Sequence, residues 1–464
     1  LNQSFFDHYN IALNKEDFAW LWSMTATCNY VGMLLAALVV RTLMDDLGRK
    51  NTAMVLRPII GLFAAILMVI AKPLNSFECF AVGYALAGAS STLKGVLIIY
   101  LAECSPDRFR GLITLTTGTA LHFIAVTIAT TLALPEVCGN ADLWPILPFV
   151  SAIFALLHFG SSYFLPPSPK HLHITRNESD EARRAIRFYH GDKVDQEKII
   201  SEYNREHSLV ESRIRLSVME ILRSSHLRTP LLVCIVASLT PQLSASSIRG
   251  QYSASMLKSY GMPDEWVMIT IMSINFITTP FCILAPWLIE RIGRRPLFLA
   301  CVLLSFMQVG GLLANQLIID TLGASTTTVV VGLSAFLCGS FASVLGVVTI
   351  ACILVSELCP QATRSAASQA IFILPVILSL VTVFLYPPAL LNIGGFVFVP
   401  LLVAELAVLI IVFLFLPETR NLSVGVIVGN MMDSEEREQL LHERSRSISI
   451  RINEETLIAS CGSC

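Results

Sequence analysis

The chain has 464 residues, of which 54% are hydrophobic and 14% are charged, whereas a soluble globular protein carries about 25% charged residues. A mean hydropathy of +0.67 is too high for a single membrane anchor, because one span needs only ~20 apolar residues. This composition excludes a water-soluble enzyme and indicates many membrane spans. The formal net charge of −2 does not suggest nucleic-acid binding.

Apolar stretches of membrane-spanning length occur five times before a long polar segment and six times after it. None of them alternates like a barrel strand, and helices are the only other structures that satisfy every backbone group in lipid. The sequence therefore predicts an all-helical membrane protein. The predicted spans cover about residues 20–44, 52–72, 77–102, 111–134, 143–165, 229–257, 266–289, 296–319, 327–356, 365–387 and 393–416.

The polar segment is rich in Arg, Glu and Lys, and residues 181–189 and 197–215 show helical spacing. It is predicted to be a cytosolic helical insert between two membrane bundles. The predicted parts are an outer loop 1–19, an amino-terminal bundle 20–165, the insert 166–228, a carboxy-terminal bundle 229–416 and a tail 417–464.

The distribution of Lys and Arg predicts the orientation. Most of the 32 basic residues fall on one side of the predicted membrane, and the positive-inside rule assigns that side to the cytosol. Lys15, Lys72 and Lys258 are placed on the other side, and Lys94 and Arg249 are placed within spans. The insert and the carboxy-terminus are therefore expected to be cytosolic.

Two short patterns occur once in each half of the chain, as in a duplicated transporter. One is an acidic residue, two further residues, a glycine and two bases; the other is a glutamate followed by a proline and then an arginine. Such acids and bases can pair across the cytosolic face in one conformation and separate in another. The alternative is simple anchoring and capping, but the repeated spacing favours a gate. The predicted gate residues are Asp45, Gly48, Arg49, Glu103, Arg110, Glu290, Gly293, Arg294, Arg295, Glu357 and Arg364.

With these motifs the chain resembles the sugar porter branch of the major facilitator superfamily, in particular the animal facilitative glucose transporters. The likeness extends to residues 22–23, 100–111, 139–145, 167–170 and 417–420. It implies a transporter that moves a small solute, such as a sugar or polyol, by alternating access. The sequence shows no Ser-His-Asp set, Gly-rich phosphate loop or metal cluster, so it predicts no enzyme activity, cofactor or metal. It also implies a further span upstream of Leu1, because the family has twelve.

Most of the amide and indole groups that bind sugar hydroxyls in that family are replaced here. Gly118 stands where the family has Gln, with His122 one turn further on. Gln242 is the only remaining amide of its motif, Ser247 ends that motif, and Asn275 can stand in for a family Asn. Since a pocket without its polar groups loses discrimination, the scaffold favours transport without specifying glucose.

Two ionisable residues lie at predicted membrane depth. Lys94 is nine residues before Glu103, roughly 13 Å along a helix, and Arg249 lies within two turns of Gln242. Such residues usually face a cavity or a partner, so an organic-anion carrier is one alternative; an ion pair with Glu405, snorkelling of Arg249 and a non-transporting sensor are others. The predicted substrate-binding residues are Gln242, Ser247, Asn275, Lys94, Arg249, Gly118 and His122.

Both ends of the chain carry short signals. Asn2 begins an N-glycosylation sequon on the predicted outer side. In the tail, Glu436 with Leu440 and Leu441 forms an acidic dileucine pattern that sorting adaptors bind, although an amphipathic helix over 434–444 fits as well. These features predict a multi-pass protein of the plasma membrane or of an endolysosomal membrane.

Overall fold

The computed structural model is helical, with no strand among the residues that it describes. This confirms the all-helical prediction. The described residues are 15–106, 113, 116–174, 176, 178–192, 194–211, 218–223, 225–347, 350, 354, 358 and 361–418.

The helices of the described chain form a first half, an insert and a second half. The first half contains α1 (Lys15–Asp46), α2 (Arg57–Ala71), α3 (Phe77–Thr92), α4 (Lys94–Cys104), α5 (Leu121–Leu132) and α6 (Ile146–Ser161), with π-helical turns at Asn51–Leu56 and Thr116–Ala120. The insert contains α7 (Pro169–Ile174), α8 (Ser179–His190), α9 (Gln196–Glu211) and α10 (Val218–Arg223). The second half contains α11 (Ser225–Leu243), α12 (Ser246–Ser259), α13 (Asp264–Thr278), α14 (Leu284–Ile292), α15 (Arg294–Leu322), α16 (Thr326–Val344), α17 (Gln361–Ile393) and α18 (Val399–Phe415).

Eight segments of the described chain are long and apolar enough to cross a membrane, and two shorter apolar helices cover Thr116–Leu132 and Ile146–Ser161. The last long segment, Gln369–Phe415, contains parts of both α17 and α18. Every predicted apolar stretch overlaps one of these helices. The division into five and six spans, and the exact domain limits, stay predictions.

Helices α1 and α3 pack closely because glycines let their backbones approach. A Cβ atom on Gly32 would lie 1.7 Å from the carbonyl oxygen of Ala85, and one on Gly88 would lie 1.9 Å from the carbonyl oxygen of Asn29. The Asn29 amide also donates to the carbonyl of Tyr84 at 3.1 Å. Small residues are the usual means by which membrane helices approach, so these two helices form one unit.

The core of the second half contains a carboxyl group. Glu405 is 0% exposed and lies on the same buried stripe of α18 as Leu401, Val408 and Val412. Neither of its carboxylate oxygens has a hydrogen-bond partner among the described residues. The ion pair with Lys94 that the sequence left open is therefore absent.

The two halves meet along two seams. Helix α1 packs along α17, where the rings of Trp20 and Phe384 lie 5.6 Å apart. Helix α5 packs along α13, and the hydroxyls of Thr127 and Thr279 lie 2.7 Å apart close to that seam.

We expect Gly88→Ala to destabilise the protein by about 2 kcal/mol or more, since overpacking typically costs ~1–3 kcal/mol and the obstructing atom is a backbone oxygen. Gly160→Ala is the matched control, because nothing lies within 4 Å of the added Cβ. Thermal unfolding of the two purified variants in detergent measures the difference. Equal melting temperatures would contradict the close approach of α1 and α3.

Candidate functional site

The helix formed by α11 and α12 is broken in the middle. Pro241 lies inside α11, and Ala245 between the two pieces has a left-handed backbone with φ +60°. The Gln308 amide of α15 donates to the carbonyl of Ser244 at 2.7 Å, and the Ser244 and Ser246 hydroxyls lie 2.9 Å apart. These bonds satisfy groups that the break exposes, as lipid requires. Discontinuous helices commonly carry the solute site of a transporter.

Polar side chains from the second half collect beside this break. The hydroxyl of Ser247, in the first turn of α12, donates a short hydrogen bond to the Gln242 side-chain carbonyl. Ser379 of α17 lies 2.7 Å from the same oxygen and 3.1 Å from the Ser247 hydroxyl. The predicted residues Gln242 and Ser247 are therefore brought together, and Ser379 joins them.

The first half contributes two tyrosines to the same region. The Tyr84 hydroxyl donates to the Gln251 side-chain oxygen at 2.9 Å, and the Tyr30 hydroxyl interacts with Ser247 and Gln251. The bonds from Tyr84, Ser247 and Ser379 use the side-chain oxygens of Gln251 and Gln242, and each side-chain amide also carries two N–H donors. We define the central polar cluster as Gln242, Ser247, Gln251, Ser379, Tyr30 and Tyr84.

Two further predicted residues are engaged elsewhere. The guanidinium of Arg249 donates to the carbonyl of Phe336 at 2.9 Å and to the Ser340 hydroxyl at 2.5 Å, both on α16. It therefore neither snorkels nor joins the central polar cluster. The Asn275 amide donates to the Thr130 hydroxyl at 3.5 Å, next to the seam between α5 and α13.

The remaining predicted residues, Lys94, Gly118 and His122, lie in the first half. The same half contains Arg57, which the sequence does not single out. Lys94 donates to the carbonyl of Gly118 at 3.1 Å, and His122 is exposed on α5. The count of bases by side places Arg57 with the basic loops, but it lies inside the span Asn51–Ala71. Its only sequence signal is a charge several residues inside an apolar stretch.

One end of the first half carries the basic loops, and we call it the basic end. At this end an ion pair joins the loop after α1 to α4. Arg49 Nε lies 3.4 Å from Glu103 Oε1, and the Ser168 hydroxyl of the insert donates to Glu103 Oε2 at 2.6 Å. Arg49 also donates to His171 Nδ1 at 3.2 Å. Gly48 has φ +83°, and a Cβ there would lie 2.8 Å from the His171 ring.

A second contact holds the insert on α4. The hydroxyls of Tyr100 and Tyr189 lie 2.7 Å apart, and both reach the carbonyl of Pro166 at 2.7 and 2.8 Å. Burial, followed by the bond to Tyr100, raises the pKa of Tyr189 well above its usual range. The phenol therefore remains a neutral donor at every physiological pH.

In the second half, the loop of Gly293 between α14 and α15 corresponds to the loop of Gly48 in the first half. It is held by a different kind of hydrogen bond. The Glu418 carboxylate accepts from the backbone N–H groups of Arg294 at 3.0 Å and Arg295 at 3.2 Å, at the start of α15. The Arg295 side chain donates to the carbonyl of Phe413 at 2.8 Å. Gly293 has φ +106° beside the carboxylate, so the repeated glycines share a left-handed backbone.

Several predicted residues cannot be placed. Arg110, Glu357, Asn2, Leu440 and Leu441 lie outside the described residues, as do the side chains of Asp45, Glu290 and Arg364. Within the described part of the chain, no group of three or more His, Cys, Asp or Glu side chains could hold a metal ion.

Comparison with known proteins identifies the family. The family model described as "Sugar (and other) transporter" matches residues 1–427. The chain belongs to this family. It is 31% identical over 283 residues to the facilitated glucose transporter member 4 of Bos taurus, covering 60% of this chain and 54% of that protein. It is 30% identical over 302 residues to member 1 of Gallus gallus, covering 64% and 60%.

Solved structures show the same fold. A proton:xylose symporter of the major facilitator superfamily, bound to 6-bromo-6-deoxy-D-glucose, superposes with a TM-score of 0.71 over 93% of both chains at 17% identity. The inward-open xylose transporter of E. coli superposes with a TM-score of 0.70 over 92% of both chains, also at 17% identity. The fold is that of the major facilitator superfamily, and the resemblance to sugar porters is confirmed.

We expect Glu103→Gln to loosen the insert, because the amide cannot pair with Arg49 and accepts more weakly from Ser168. Hydrogen exchange in α7 and α8 should accelerate by about fivefold or more, from a loss of ~1 kcal/mol. Arg183→Gln is the control, since its ion pair with Glu197 is largely exposed and lies within the insert. Unchanged exchange in Glu103→Gln would show that this carboxylate does not hold the insert.

Proposed function

We propose that this protein is a sugar porter that carries a small polyhydroxylated solute, a sugar or a polyol, across a membrane without coupling to an ion. The relatives are glucose transporters and the structural neighbours are xylose transporters, by their descriptions. A solute of the same class suits the chemistry of the central polar cluster. Cofactor-dependent or enzymatic chemistry has no part in this proposal.

The observation that carries the proposal is the composition of the central polar cluster. It combines two side-chain amides, two serines and two tyrosines, and it contains no charged group. Amides and hydroxyls can donate to and accept from sugar hydroxyls at the same time. The cluster lies at a broken helix and is supplied by both halves, so a bound solute would contact both.

Alternating access requires contacts that can break at each end of the site. On one side of the central polar cluster, Tyr84 and Gln251 join the halves by one neutral hydrogen bond. At the basic end, the ion pair of Arg49 with Glu103 ties α1 and the loop after it to α4 and the insert. We infer that rocking of the two halves breaks the bond between Tyr84 and Gln251, and that at the basic end Arg49 and Glu103, which pair within the first half, exchange partners.

We further propose that the basic end faces the cytosol, with the insert and the carboxy-terminus on that side. The support is the positive-inside rule. The membrane would be the plasma membrane or an endolysosomal one, where a sorting adaptor would bind Leu440 and Leu441 and a glycan would be attached to Asn2.

The direct test is uptake of labelled D-glucose, D-xylose and sorbitol by the full-length protein in proteoliposomes. We expect saturable uptake of at least one of them, unaffected by a proton ionophore. Gln242→Ala should raise KM about tenfold, because each lost hydrogen bond to the solute costs ~0.5–1.5 kcal/mol and Ser247 and Ser379 lose their acceptor as well.

Ser334→Ala is the matched control, since among the described residues that hydroxyl bonds only to Val331, in its own helix. Absence of uptake of all three solutes by folded protein would overturn the transport proposal. Uptake with an unchanged KM in Gln242→Ala would show that the solute binds elsewhere.

Tyr84→Phe removes the hydrogen bond to Gln251. It should therefore shift the conformational equilibrium about two- to tenfold towards the state in which the halves separate at the end opposite the basic loops. Spin labels at Leu74 and Leu322, both exposed at the end opposite the basic loops, report the distance between the halves. Tyr163→Phe is the control, because Tyr163 is 81% exposed. An unchanged distance distribution would show that the bond has no part in closure.

A further inference from the structure

Arg57 is held rigidly at membrane depth in the first half. It is the first residue of α2 and follows a π-helical turn, a feature that is frequent at functional sites. Its Nε donates to the carbonyl of Ser90 at 3.2 Å, and the Ser90 hydroxyl donates back to the Arg57 carbonyl at 3.2 Å. The guanidinium is thereby fixed against α3.

The histidine beside Arg57 adds no negative charge. Arg57 Nη1 lies 3.2 Å from His158 Nδ1, and since arginine is only a donor, this nitrogen is the acceptor. The ring proton is therefore on Nε2, which lies 3.2 Å from the sulfur of Met54. His158 is a neutral ligand of the arginine and leaves its charge uncompensated.

A second cation lies near the first along the chain of α3 and α4. Lys94 begins α4, one turn beyond Ser90, whose carbonyl accepts from Arg57. Its single described bond is to the carbonyl of Gly118, which leaves two ammonium protons for another partner. Arg57 and Lys94 are both only partly buried, so neither is sealed inside the protein.

No carboxylate lies at this depth on the helices around the pair. In α2 to α6 and the two π-helical turns, the only acids are Glu78 and Glu103. Glu78 is roughly 24 Å along the helix from Lys94, and Glu103 roughly 13 Å in the other direction. Glu103 is already engaged by Arg49 and Ser168.

Two like charges with no carboxylate beside them on the described helices are unfavourable in a membrane, and both Arg57 on α2 and Lys94 on α4 keep unused N–H donors. We infer that Arg57 and Lys94 form a binding site for a small oxyanion, a carboxylate or a phosphate. The planar fork of an arginine matches two oxygens of such a group, and a lysine adds a point charge. This pairing replaces the sequence-based pairing of Lys94 with Arg249, which is bonded to α16.

The oxyanion can be a substituent of the solute or a separate inorganic ion. Gluconate and inorganic phosphate represent the two sources. The binding test is the melting temperature of the purified full-length protein, titrated with each anion against chloride at equal ionic strength, because a ligand that binds only the folded state raises that temperature saturably.

We expect a saturable rise with gluconate or phosphate, and an apparent affinity at least about tenfold weaker in Lys94→Gln and in Arg57→Gln, since each removes a charge-assisted hydrogen bond. Lys94→Arg should retain most of the affinity. Lys258→Gln is the matched control, because Lys258 is exposed and pairs with Asp264 at 3.0 Å. If Arg57→Gln does not fold, the comparison of Lys94→Gln with Lys94→Arg remains decisive.

Three results would overturn the inference: no saturable rise, a rise with chloride alone, or equal affinity in the wild type and Lys94→Gln. Uptake of labelled gluconate that depends on Lys94 would assign the oxyanion to the solute. A rise with phosphate but not with gluconate would assign it to a separate ion. Since binding is measured without transport, failure of hexose uptake would contradict the proposed function and leave this result intact.

Discussion

A backbone carbonyl in lipid must find its hydrogen-bond partner inside the protein, and the broken helix of the second half depends on this constraint. Gln308 supplies the partner for Ser244. It can do so because Gly339 leaves room: a Cβ there would lie 1.1 Å from the Gln308 side-chain oxygen. The break in turn places Gln242 and Ser247 side by side. The central polar cluster therefore forms only when the broken helix of α11 and α12 is packed against α15 and α15 is packed against α16.

The two halves use the same loop geometry with different chemistry. Gly48 and Gly293 both adopt a positive φ that favours glycine. In the first half the loop is fixed by a side-chain ion pair, which a change of partner can break. In the second half Glu418 binds backbone N–H groups at the start of a helix, a contact that the helix dipole strengthens. The first half therefore has the more exchangeable contact.

The sequence predicts structure well where apolar residues form a long run or where a motif recurs at the same spacing. Apolar stretches located the helices, and the repeat singled out Gly48 and Gly293. It failed for Tyr84, because a lone polar residue in an apolar stretch has no spacing that predicts its partner on another helix. Arg249 was expected near the solute site, but its partners are about 90 residues away on α16. Arg57 was missed because a charge near a predicted boundary was counted with the loop.

The buried carboxyl of Glu405 has a consequence for biosynthesis. On insertion scales a charged residue at the centre of a helix costs about 2.5–3.5 kcal/mol, and each Leu, Ile, Phe or Val returns about 0.3–0.6 kcal/mol. Thirteen of the 17 residues of α18 are of those four types, so their sum exceeds the cost of the one acid. The translocon can therefore release α18 into the bilayer before any other helix covers the carboxyl.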